Sequence, residues 1–69
     1  MNKDIERTIF YRNCMAKIKR EYSIKGFVGT EILVYKDDAL IGRKFSYYDN
    51  VKDKEVKYFV DSCIVNKIN

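Results

Sequence analysis

The chain of 69 residues predicts a small α+β domain ordered helix–β-hairpin–helix, an αββα arrangement. Three observations predict it. Apolar residues in positions 2–22 recur with a helical period, residues 27–48 read as two strands about an Asp-Asp pair, and residues 56–65 return to helical spacing. A third strand is the alternative for that last segment, because it is rich in Val, Phe and Tyr.

The first element reads as a helix over 2–22. Phe10, Tyr11, Cys14, Met15, Ile18 and Tyr22 fall at offsets 0, 1, 4, 5, 8 and 12, one face of an α-helix. Asn2 or Asp4 can cap its start. Asp4 and Glu6 suit the positive end of the helix dipole, and Lys19 and Arg20 suit the negative end. Ile5 and Ile9 lie off the main stripe. Cys14, Ala16 and Ile18 also alternate, so a strand over 14–22 competes with the helix and ranks below it.

Residues 23–26 connect to the hairpin. Gly26 and Gly29 bracket Phe27-Val28, which places the firm start of the first strand near Thr30. Asp37-Asp38 forms the turn, since Asp tolerates left-handed backbone better than most residues. A two-residue loop pairs Lys36 with Ala39. Counting outward, Tyr35 faces Leu40, Val34 faces Ile41, Leu33 faces Gly42, Ile32 faces Arg43, Glu31 faces Lys44 and Thr30 faces Phe45. Opposite charges at Glu31 and Lys44 favour that register by roughly 0.2–1 kcal/mol. Val28, Ile32, Val34, Ile41, Phe45 and Tyr47 then share one face. Phe27, Leu33, Tyr35, Leu40 and Tyr48 share the other. An isolated hairpin is marginal in water, so both faces need a cover.

After the hairpin, Asn50 with Asp53 resembles a capping box, and Val56, Phe59, Val60, Cys63 and Ile64 follow helical spacing. The predicted core joins Cys14, Met15, Ile18, Phe59, Val60 and Cys63 to Ile32, Val34, Ile41 and Phe45. Residues 1–69 form a single domain. A chain this short buries only about 60% of its unfolded surface, so a partner or a second copy would add stability.

Composition narrows the function. The N-terminal MNKDIERTIF is charged and no window approaches a membrane span, so a cytoplasmic protein with no membrane partner is expected. Cys14 and Cys63 read as free buried thiols that come close if the two helices pack together. No histidine, no CxxC and no phosphate-loop glycine spacing occur, so no cofactor, metal or catalytic residue is assigned and no enzyme is expected. Asp37 and Asp38 with Glu55-Val56-Lys57 resemble the Asp…Glu-x-Lys pattern of some metal-dependent nucleases. A turn and solvated helix charges explain those residues better.

Two binding readings follow. Leu33, Tyr35, Leu40, Tyr48 and Tyr58 are candidate protein-contact residues, because contiguous exposed apolar surface marks protein interfaces. The alternative is direct nucleic-acid binding. The net charge of +4 permits it, with Lys17, Arg20, Arg43 and Lys44 on phosphates and tyrosines stacked on bases. Lys, Asn, Ile and Tyr are abundant while Pro, His, Trp and Gln are absent, a bias expected of an AT-rich genome. Size and composition together suit a phage or mobile-element accessory protein that binds, and modulates or inhibits, a host protein or nucleoprotein.

Overall fold

The computed structural model describes the backbone of residues 2–48 and 51–68, and the side chains of residues 7–48 and 51–66. Four strands run in chain order: β1 (Asn2–Tyr11), β2 (Cys14–Ser23), β3 (Gly26–Lys36) and β4 (Ala39–Ser46). One helix, α1 (Asp53–Ile68), follows. The strands form a single antiparallel sheet in the order β1-β2-β3-β4. The helix–hairpin–helix expectation is therefore overturned: the predicted first helix is a β-hairpin.

The reason lies at Arg12-Asn13. Both residues take left-handed backbone, at φ 52° and 61°, which a right-handed helix cannot pass through and which a tight hairpin turn requires. The β-branched and aromatic residues of Thr8-Ile9-Phe10-Tyr11 suit the pleated strand on one side of it. The apparent helical stripe was a projection of two opposite strand faces. Tyr11, Cys14 and Ile18 point toward α1 with Ile9 and Ala16, whereas Phe10 and Met15, paired across β1 and β2, point away.

The β3–β4 turn falls at Asp37-Asp38, with φ 51° and 66°, and Lys36 pairs with Ala39 and Tyr35 with Leu40. Beyond that the predicted register fails. A bulge leaves Ile41 without a partner, so Val34 pairs with Gly42, Leu33 with Arg43, Ile32 with Lys44, Glu31 with Phe45 and Thr30 with Ser46. Glu31 therefore meets Arg43, not Lys44, and Phe45 crosses to the face carrying Leu33. A one-residue shift exchanges every face beyond it. The connection between β2 and β3 is also a tight turn, in which the Lys25 N–H donates to Ser23 Oγ at 3.1 Å, and β3 already begins at Gly26.

α1 lies on one side of the sheet. Its Val56, Val60 and Cys63 close over Cys14, Ala16, Ile18, Ile32 and Val34, with Val51 beneath the approach to the helix. Phe59 and Ile41 pack at the margin and are only partly buried, so Phe59 is not the central core residue that helical spacing implied. Met15 and Phe45 leave the core altogether. The Glu55 and Val56 N–H groups both donate to Lys52 O, at 3.0 and 3.2 Å, which opens the helix at Asp53 and places Asp53 and Glu55 at its positive end. The predicted cap at Asn50 lies outside the described residues. The strand alternative for 56–65 is excluded by the helix itself.

Ion pairs fasten α1 along β1. Arg7 Nε donates to Asp53 Oδ1 at 2.9 Å, and the same guanidinium donates to the Val51 carbonyl. Arg12 Nη1 and Tyr11 OH both donate to Asp61, at 2.7 and 3.3 Å. Asp61, through that hydrogen bond first and its charge second, holds the Arg12 guanidinium above the ordinary arginine range. No helix among the described residues is long and apolar enough to cross a membrane.

Cys14 and Cys63 are free, buried in the same core and only 3% and 6% exposed. Burial pushes the Cys63 thiol up, and neighbouring Cys14 pushes it further. Both thiols should therefore react slowly with Ellman's reagent in the folded protein at neutral pH and completely once urea unfolds it. Rapid labelling of either under native conditions would show that α1 does not seal this side of the sheet.

Candidate functional site

The sheet face turned away from α1 is covered by no described element. Its side chains follow from strand alternation and register. At the end bearing the β1–β2 and β3–β4 turns, Phe10, Met15, Tyr35 and Leu40 stand in one row across all four strands. Phe10 is 77% and Leu40 52% exposed, with Met15 and Tyr35 half-buried between them. The two turns flank an open cleft of about 780 Å³ whose lining includes Phe10, Met15, Tyr35, Lys36 and Asp37.

The second row is Thr8, Lys17, Leu33 and Arg43. Leu33 is only 8% exposed although no described element lies over it. Its cross-strand neighbours Lys17 and Arg43 carry long alkyl stems that can shield it while their charged heads stay in water. The Lys17 ammonium sits 5.4 Å from the centre of the Tyr35 ring, a cation–π contact.

The third row is Lys19, Glu31 and Phe45. Glu31 is 4% exposed and accepts a 2.6 Å hydrogen bond from Arg43 Nε, the stronger charge-assisted kind. Glu21, one row on beside Gly29, is also buried. Among the described residues, the carboxylates of Glu21 and Glu31 on this face are thus buried, while Arg43 is exposed. Phe45 lies over Gly29, where an added Cβ would stand 2.2 Å from its Cζ, and it meets Tyr47 edge-on at 5.1 Å between ring centres.

The predicted protein-contact residues divide. Leu33, Tyr35 and Leu40 come together on the uncovered face. Tyr48 follows β4 at the opposite end of the sheet from Leu40; its carbonyl accepts a 3.0 Å bond from Thr30 Oγ1 while its side chain stays exposed. Tyr58 is 76% exposed on the outer side of α1, on the other side of the molecule. The predicted nucleic-acid set divides too. Lys17 and Arg43 flank Leu33 on the uncovered face. Arg20 pairs with Thr30 on the α1 side, its guanidinium 5.5 and 5.2 Å from the rings of Tyr22 and Phe27. Lys44 also points to the α1 side, 5.7 Å from the Phe59 ring.

Phe10 and Met15 were not among the predicted contacts, because a helix reading placed them in a core stripe. Alternation along Met15, Lys17 and Lys19 was the signal that could have found this face. Asp37 and Asp38 stand on a turn at one end of the sheet, while Glu55 and Lys57 are exposed on α1. Among the described residues no group of three or more His, Cys, Asp or Glu could hold a metal ion. No family model, curated protein or solved structure matches the chain.

Proposed function

We propose that this protein is a non-enzymatic binding module that docks a partner protein on the uncovered sheet face. The observation that carries the reading is the apolar row of Phe10, Met15, Tyr35 and Leu40, which spans all four strands and stays exposed at both ends. Interface energy concentrates in a few aromatic and apolar anchors, and Tyr35 is the central one here, supported by Lys17 and Met15. Composition and size suit an accessory protein of a phage or mobile element that modulates or inhibits a host protein or nucleoprotein.

Affinity capture from the natural host, with and without nuclease, tests the reading. One protein retained after nuclease and lost with Tyr35→Ala is the expected result. For the captured partner, Tyr35→Ala should weaken binding by about 2 kcal/mol or more, roughly 30-fold. Affinity should change little between about 50 and 200 mM salt, unlike counterion-driven binding. A Tyr35→Ala variant that binds as wild type would sink the proposal.

A second reading, direct binding of single-stranded nucleic acid, is favoured by one specific observation. Lys17 and Arg43 stand beside exposed aromatics while Glu21 and Glu31 are buried beneath. It requires capture to fail after nuclease, and affinity for an oligonucleotide to fall steeply with salt.

A further inference from the structure

The sheet ends in β1 on one side and β4 on the other, and among the described residues neither outer edge has a strand beside it. An edge strand offers a ladder of backbone donors and acceptors, so what completes it is another strand. The two edges differ. β4 is broken by the bulge at Ile41 and carries Arg43 and Lys44 on either side of its sheet, charges that discourage edge pairing. β1 has its own register break at Glu6, so its regular outer segment begins at Arg7. Residues 7–11 of β1, Arg-Thr-Ile-Phe-Tyr, carry a single charge, and the Arg7 guanidinium is turned inward onto Asp53 and the Val51 carbonyl. Phe10 beside that edge is 77% exposed.

We infer that β1 pairs antiparallel with β1 of a second copy of this chain, about a two-fold axis at Ile9. The segment is self-complementary in that register. Ile9 faces its own copy on the α1 side, where it already packs against the core. Thr8 faces the partner's Phe10 on the uncovered side, and Arg7 faces the partner's Tyr11. Phe10 meets β-branched Thr8, a pair that stabilises sheets, and no like charges meet. A two-fold axis normal to the sheet places both helices on one side and joins the two uncovered faces into one eight-stranded platform. The inference stands whatever docks on that platform.

The test is the solution mass of the full chain across the micromolar range, by light scattering and sedimentation equilibrium. A mass near twice 8.2 kDa is expected. Thr8 and Phe10 are exposed, so Thr8→Lys with Phe10→Lys leaves the core intact but sets lysine against lysine at both pairs. That variant should be monomeric, as should Thr8→Glu with Phe10→Glu, and mixing the two should restore a dimer of one of each. A wild-type protein that stays monomeric overturns the inference. So does a dimer that survives the double-lysine substitution, or two folded variants that fail to recombine. Should either variant fail to fold, isotope-filtered NMR on mixed labelled and unlabelled wild-type chains decides, because Ile9 methyls must show contacts to Ile9 of the second copy. Absence of those contacts in a dimer places its interface elsewhere.

Discussion

Gly42→Ala should destabilise the protein by about 1–3 kcal/mol, the usual cost of forcing an extra methyl into a filled site. An added Cβ would stand 2.1 Å from Cys63 Sγ, 3.3 Å from Cys63 Cβ and 3.4 Å from Phe59 Cζ. The closest obstruction is a side chain of α1, so helix and sheet must separate or Cys63 must leave its rotamer. Cys63→Ala removes the sulfur and should relieve most of the clash. The two substitutions are therefore expected to be strongly non-additive, with Gly42→Ala costing much less in the Cys63→Ala background. Urea denaturation of the four proteins measures this. Simple additivity would mean that Gly42 does not support the close approach of α1.

Ile18→Ala should cost about 2–5 kcal/mol, the range for emptying a fully buried aliphatic site. Ile18 has no exposed surface and lies mid-strand, paired with Arg7 on one side and Ile32 on the other. Strands on both flanks and the helix above leave little freedom for the site to collapse. Phe59→Ala should cost less, because Phe59 is only partly buried at the margin. Equilibrium unfolding of both variants tests the order. A larger loss from Phe59→Ala would place the centre of the core under α1's outer edge and contradict the packing of β2.

Legibility followed the strength of local chemistry. The Asp37-Asp38 turn was readable because Asp tolerates left-handed backbone, and both residues adopt it. α1 was readable from Val56, Val60 and Cys63, which share one helical face and one core. The β1–β2 turn was not, since Arg-Asn is a weak turn signal and no glycine or proline interrupts residues 2–22. The candidate face was half legible. Tyr35 and Leu40 were found through the turn register, which holds up to the bulge, and Leu33 through alternation along β3. Phe10 and Met15 were missed with the hairpin that carries them.

The sequence by itself determined where β3 and β4 turn back, where the last helix runs and which aliphatic residues of β3 fill the core. Each rests on interactions within a few residues. Tertiary structure decided the state of residues 2–22 and the register of β4. Phe10, Tyr11, Cys14, Met15 and Ile18 satisfy a helical period and, as two strands, a sheet period equally well. Pairing of β2 with β3, and cover by α1 over Cys14, Ala16 and Ile18, selects the sheet. In β4, unbroken pairing would set Ile41 opposite Val34, beneath Cys63, where the space does not admit even a methyl group. The bulge brings Gly42 there instead, and a contact that α1 makes from across the domain thereby sets which side chains β4 presents on each face.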